Sequence, residues 1–176
     1  MAVAGVERNG VMQIAWLVPD LAAAAEAWRA TTGFGPFIHA AHIAVDDLLY
    51  RGSPSTIDFS VAIAQAGGVQ IELVQQHCDR PSAYRDLFGR SPHGLHHVGI
   101  YCDNYDAELA RYCSQGFEVS VSGRLGSGRF AYLDTAAAIG CMVELIERDP
   151  GYDEFFALVA ARARSWDGAR SALIDP

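Results

Sequence analysis

Gln13, Glu72, His97 and Glu144 each break an otherwise aliphatic run. Glu72 stands between Ile71 and Leu73, and Glu144 between Val143 and Leu145, on a face that strand alternation would otherwise leave apolar. Burying a carboxylate there costs several kcal/mol unless it is paired, protonated or bound to a metal. One imidazole, two carboxylates and one amide oxygen make a donor set suited to Zn2+, Ni2+, Co2+, Mn2+ or Fe2+, with positions left for water or substrate oxygens. Taken singly, each residue has a plainer reading: a strand Glu or Gln commonly faces solvent, and a lone His is commonly a hydrogen-bonded core residue. Their matched placement within a repeat makes them a candidate shared site.

The repeat runs through the elements that must position these residues. Val11 to Val18 reads as a strand with Gln13, Ala15 and Leu17 on one face. Asp20 suits a helix N-cap, Leu21, Ala24, Ala25 and Trp28 fall at helical spacing, and Gly33 suits the C-terminal turn. Strands over Thr56–Ala64 and Val69–Gln75 complete a βαβββ order, with Phe37–Leu49 left open between helix and strand. The second copy repeats it: strand His96–Cys102, helix Tyr105–Cys113 capped by Asn104, Gly116, then strands Phe117–Ser122, Arg129–Leu133 and Cys141–Glu147. Gln13 and His97 stand 84 residues apart and Gly33 and Gly116 stand 83 apart, so the copies are in register over strand and helix. Glu72 and Glu144 are only 72 apart, which places a surplus of about a dozen residues in the first copy, near His39 to Ser55, where it could form a pocket wall.

Composition narrows the chemistry. With 176 residues, 51% of them hydrophobic and 19% charged, the chain can build one solid core or two small fused ones. A net charge of −8 argues against a nucleic-acid partner. All 13 basic residues are Arg; with no Lys, a Schiff-base lysine, a pyridoxal phosphate anchor and a P-loop lysine are excluded. No apolar run is long enough to span a bilayer, and Met1–Gly10 lacks the pattern of a signal peptide, so a cytoplasmic protein is expected. Cys78, Cys102, Cys113 and Cys141 show no CxxC pairing and read as buried, reduced thiols.

Other candidates carry less. Alternation sends His96 to the face opposite His97, and His93 falls in a linker. Gly126-Ser-Gly-Arg-Phe is too short for a dinucleotide motif and reads as a loop. Arg124 and Arg129 could meet a substrate carboxylate or thioester tail, although exposed arginines are common. Residues 152 to 166 have Tyr152, Phe155, Phe156, Val159, Ala163 and Trp166 along one side of a helix, read as packing over a sheet edge or a dimer contact, with a substrate lid as the sharper alternative.

Leu95-His96-His97-Val98-Gly99-Ile100, the Asp103-Asn104 turn, Gln115-Gly116-Phe117 and Gly140-Cys-Met-Val-Glu144-Leu-Ile-Glu147 resemble the vicinal oxygen chelate superfamily of glyoxalase I, methylmalonyl-CoA epimerase, extradiol dioxygenases and bleomycin-resistance proteins. Gln13 to Asp20, Gly33-Phe34 and Val69 to Val74 echo it in the first copy, so the resemblance covers about residues 11 to 147. It implies an α+β fold of two tandem βαβββ modules forming a curved, open mixed sheet around one divalent metal ion, with the family ligands falling on Gln13, Glu72, His97 and Glu144. Gln13 departs from the two-His, one-carboxylate set of extradiol dioxygenases. The Gln/Glu/His/Glu set is similar to glyoxalase I, whereas epimerases usually carry His at the first position and Gln at the second.

The expected organisation is a first module at 11–75, a linker at 76–94, a second module at 95–147 and a C-terminal helical extension at 148–176. The expected function is a metal-dependent isomerase, epimerase or lyase that removes a proton next to a carbonyl of a small organic acid derivative, in the range of a CoA thioester, through a metal-bound enolate. Glu144 is the leading base and Glu72 a second base or pure ligand. The metal is expected to be Zn, Ni, Co or Mn ahead of Fe. Alternatives are a glyoxalase I-like lactoylglutathione lyase, a metal-free binding protein that sequesters a small molecule and, further back, an extradiol dioxygenase. A small-molecule substrate is the expected partner, with no nucleic acid or membrane, and a homodimer is expected.

Overall fold

The computed structural model describes residues 10–89 and 93–176. In chain order the elements are β1 (Val11–Leu17), α1 (Leu21–Thr32), β2 (Phe37–Ala40), β3 (Asp46–Tyr50), β4 (Ser53–Pro54), β5 (Phe59–Ala66), β6 (Val69–Gln76) and α2 (Ala83–Phe88). They continue with β7 (Gly94–Cys102), α3 (Tyr105–Cys113), β8 (Val119–Leu125), β9 (Gly128–Leu133), α4 (Ala136–Ile139), β10 (Met142–Glu147), α5 (Pro150–Ser165) and β11 (Leu173–Ile174). The N-terminal segment read for a signal peptide falls on residues 1–10, of which 1–9 lie outside the described residues. No helix among the described residues is long and apolar enough to cross a membrane.

Both repeat helices start as local chemistry dictates. The Asp20 carboxylate accepts the Ala23 amide at 2.9 Å, and the Asn104 side chain accepts the Ala107 amide at 3.1 Å, each satisfying a donor that has no intrahelical partner. Gly33 ends α1 at φ +77°, a conformation that a side chain disfavours.

One mixed sheet carries all the strands, in the order β11-β2-β5-β6-β1-β7-β10-β9-β8-β3-β4. The first βαβββ copy supplies β2-β5-β6-β1, the second supplies β7-β10-β9-β8, and antiparallel pairing of β1 with β7 joins them at the middle. The sheet is open, its terminal strands β11 and β4 lying at opposite ends of the order. The surplus of the first copy forms the β3–β4 hairpin, which crosses to pair with β8 of the second copy.

Alternation separates two faces. The outer face is covered by α1 over Ile71 and Leu73 and by α3 over Val143 and Leu145. On the inner face one cluster takes Leu17, Val61, Ile63 and Val74 from the first copy together with Val121, Phe130, Tyr132 and Met142 from the second, so both copies share one core. The C-terminal extension also packs here rather than over a sheet edge: Val159 of α5 is fully buried in that cluster, and β11 then pairs with β2. All four cysteines are free thiols, but only Cys102 and Cys141 are buried; Cys113 is exposed and Cys78 half-buried, because the first sits at the end of a surface helix and the second in the loop after β6.

Candidate metal and proton-transfer site

The inner face at the β1–β7 seam holds all four polar residues: Gln13 and His97 are buried, and Glu72 and Glu144 are each 8% exposed. Register explains how side chains from four strands converge. Glu72 of β6 lies opposite Ala15 of β1, and Ala15 lies opposite His97 of β7. Gln13 of β1 lies opposite Gly99 of β7, and Gly99 lies opposite Glu144 of β10. Residues two strands apart are separated by about 10 Å of sheet, so long side chains meet only by leaning over whatever stands between them. Here that position holds Ala15 in one case and Gly99 in the other. A Cβ on Gly99 would stand 3.0 Å from Gln13 Cβ and 3.2 Å from its Oε1, tighter than ordinary contact.

Glu72 and Glu144 each bring Oε2 to 3.2 Å from Nε2 of His97. The three ligand atoms lie within 4.8 Å of one another. Burial opposes a charged His97, yet the charge of Glu144 and contacts with both carboxylates prevail and raise its pKa to about 9. Burial also pushes Glu72 up, with His97 acting against it. A carboxylate pair in so dry a place therefore calls for a cation between its members.

His96 decides which nitrogen of His97 is turned to that place. Its Nε2 lies 3.1 Å from the Ala83 carbonyl, which can only accept, so Nε2 carries the hydrogen and Nδ1 does not. His96 Nδ1 then accepts from Nδ1–H of His97 at 2.9 Å. His97 Nε2 is left facing the carboxylates and has no hydrogen-bond partner although it is fully buried. An orphaned imidazole nitrogen between two acidic oxygens fits a divalent metal ion, and a hydrogen-bond partner on the ring's other nitrogen, which fixes its orientation, is the arrangement that metal-binding histidines use. A second group, His42, Asp58 and His77, is also close enough to share a cation, but it lies on the surface. There His42 Nδ1 is bonded to Asp58 at 2.7 Å and His77 Nε2 to Ser60 at 2.7 Å, so each of these nitrogens already has a partner.

The placement of His96 corrects the alternation argument. Pairing of β1 with β7 passes from Ala15–His97 directly to Trp16–Leu95, so β7 carries one extra residue, a bulge that turns His96 to the inner side with His97. The linker also contributes: Tyr84 of α2 packs its ring 5.0 Å from His96, and its hydroxyl stands 3.4 Å from that of Tyr132. Burial, followed by the charges of the two glutamates, holds both phenols well above their usual pKa and hence protonated.

A cavity of about 520 Å³ opens above Gln13, Glu72 and Glu144. Ala40 and Ile43 from the surplus of the first copy and Leu125, Gly126 and Ser127 from the β8–β9 turn line it, as the expected walls near 39–55 and 124–129 would. Arg124 and Arg129 do not line it. The unexpected wall is α5, which contributes Tyr152, Phe155 and Phe156. Tyr101 fixes the start of that helix, its hydroxyl donating to the Asp149 carbonyl at 3.1 Å and to Asp153 at 3.0 Å.

A profile of the Glyoxalase/Bleomycin resistance protein/Dioxygenase superfamily matches residues 12–133. The chain belongs to this superfamily. No curated protein matches this glyoxalase-superfamily chain. Among solved structures, a hypothetical protein from Bacillus halodurans C-125 is similar at 16% identity, covering 81% of this chain and 96% of its own, with a TM-score of 0.57. Methylmalonyl-CoA epimerase from Mycobacterium tuberculosis is similar at 19% identity, covering 88% and 97%, with a TM-score of 0.55. A methylmalonyl-CoA epimerase in complex with methylmalonyl-CoA and NH4+ is similar at 22% identity, covering 81% and 96%, with a TM-score of 0.50. At these identities the likeness is one of fold.

Sequence reasoning missed His96, Tyr84, Tyr132 and Tyr152 as neighbours of the site. Alternation in β9 already placed Phe130 and Tyr132 together on one face, so Tyr132 had a signal. Tyr84 had none, since a short helix between repeats does not announce which face it covers.

Proposed function

We propose that this protein is a metal-dependent isomerase, epimerase or lyase that moves a proton next to a carbonyl. The observation that carries the reading is the orphaned Nε2 of buried His97, set between Glu72 and Glu144 at 3.2 Å from each. Gln13, Glu72, His97 and Glu144 would hold one divalent ion, Zn, Ni, Co or Mn ahead of Fe. When bound, that ion supplies a Lewis acid for oxygens that gain negative charge as the proton leaves.

The chain's own residues do the rest. Glu144 lines the cavity and is the leading base, with Glu72 as second base or pure ligand. His96 holds the His97 ring with its Nε2 toward the carboxylates. Tyr84 and Tyr132 remain protonated beneath the site, and the apolar walls exclude water, which strengthens every charge interaction inside. The Gln/Glu/His/Glu set keeps a glyoxalase I-like lyase within this reading.

The test is elemental analysis of protein purified without a chelating tag. About one Zn, Ni, Co or Mn per chain is expected, lost in both His97→Ala and Glu144→Ala. Glu144→Gln should keep the fold and lose substrate proton exchange with solvent. Absence of metal after reconstitution would sink the proposal and move it to a sequestering protein.

A further inference from the structure

The cavity is walled for an uncharged guest. Among the described residues that line it, the charged ones are Glu72, Glu144 and Asp149, all acidic, and no arginine is among them. The chain offers no lysine in compensation. Nearby arginines are committed outside the cavity: Arg129 donates to Glu147 and Asp106, and Arg148 to Asp103 and Asp153. Arg124 donates to the Ser127 carbonyl at the β8–β9 turn.

Charge balance sharpens the point. A divalent cation held by two carboxylates leaves no surplus positive charge for a third anion. A substrate carboxylate or phosphate driven against these walls would lose its water without gaining a partner, and would also face Asp149. Phe59, Phe130, Tyr152, Phe155 and Phe156 instead offer ring surface, which favours a flat apolar body. The volume accommodates a molecule larger than a short-chain acid and far smaller than a nucleotide-bearing thioester held entirely within it.

We infer that the substrate is an uncharged, largely aromatic or alicyclic carbonyl compound, its apolar body seated against α5. This rests on the proton-transfer reading above and replaces the acid-derivative class with a neutral ketone. Its carbonyl end turns toward the Gln13–Glu72–Glu144 floor, and its rings toward Phe155 and Phe156.

Benzoin is a suitable probe, because it is neutral, carries two phenyl rings and has an exchangeable proton next to its carbonyl. Its partner probe is benzoin with a carboxylate on each ring. Calorimetry on the zinc-loaded protein at neutral pH should give a Kd for benzoin at least about tenfold lower than for the dicarboxylate, the effect of one poorly compensated buried charge. Phe156→Ala should weaken benzoin and leave the zinc content unchanged. Equal or tighter binding of the dicarboxylate, or no binding of benzoin, overturns the inference. Proton exchange into D2O, followed by NMR with Glu144→Gln as control, separates the two claims. Selective benzoin binding without Glu144-dependent exchange supports the substrate class and sinks the proton-transfer reading; exchange of the dicarboxylate alone does the reverse.

Discussion

His96 and His97, adjacent in sequence, are hydrogen-bonded to each other through their Nδ1 atoms at 2.9 Å. Successive strand residues ordinarily point to opposite faces, so this contact exists only because β7 is bulged at His96. Replacing His96 by Phe removes the acceptor that fixes His97 while keeping a ring in the space. Metal affinity is expected to fall by about 10- to 100-fold, the usual effect of losing such a partner. In the metal-free protein above pH 9, where His97 is neutral, 15N NMR of His97 should show a mixture of tautomers in the variant and an Nδ1–H form in the native chain. Unchanged affinity and an unchanged spectrum would remove His96 from the site.

Ala15 and Gly99 act as clearances rather than as fillers. Gly99→Val would drive its Cβ toward Gln13 and separate the Gln13 and Glu144 side chains. Overpacking of this kind costs about 1–3 kcal/mol, so thermal unfolding should show a folded but weakened protein. Calorimetric zinc titration should show affinity lower by at least about tenfold, since ligand geometry changes by more than a metal site tolerates. A variant that binds zinc normally would contradict the register argument.

The two histidines set opposite arms of a pH profile. Burial, and then the charge of His97, lower His96 to about 3, so the folded state resists a proton that the unfolded chain accepts near 6.5. Its contribution is present above about 6.5 and is lost as pH falls below it. His97, raised to about 9, contributes fully below about 6.5 and loses that contribution as pH rises toward 9; the raised Glu72 has the same sign. The metal-free protein should therefore lose stability as pH rises above about 6.5, by up to about 1.4 kcal/mol per pH unit for His97, whereas between about 4.5 and 6.5 the gain from His96 and the loss from Glu72 oppose each other. Denaturant melts across pH would check this, and bound zinc should abolish the alkaline arm, because the ion occupies the place of the His97 proton.

The start of α5 depends on Gly128, over which the Tyr152 ring sits so closely that any Cβ would collide with it. Gly128→Ala should displace Tyr152, lower stability by about 1–3 kcal/mol and speed proteolysis near residues 149–152. An unaltered cleavage pattern would show that the helix holds without this contact.

Much of the fold was legible because it is local. Helix α3 was read at its observed bounds from the Asn104 cap and apolar spacing, and Gln13, Ala15 and Leu17 share a buried face as period two requires. The four candidate residues were legible because a carboxylate among aliphatics is conspicuous twice over in a repeat. Less legible were features that arise between distant segments. The β3–β4 hairpin pairs across to β8, the bulge at His96 breaks the alternation on which its reading depended, and the apolar stripe of α5 names no partner. Such stripes state that something must be covered, and only tertiary packing states what.

The seam between β1 and β7 has a final consequence. Each βαβββ half owns one of the strand pairs that carry Gln13 with Glu72 and His97 with Glu144, so neither half encloses a full set of donors. An ion held across the seam as proposed would act as a removable rivet between them, added to the β1–β7 pairing and the shared apolar core that join the halves.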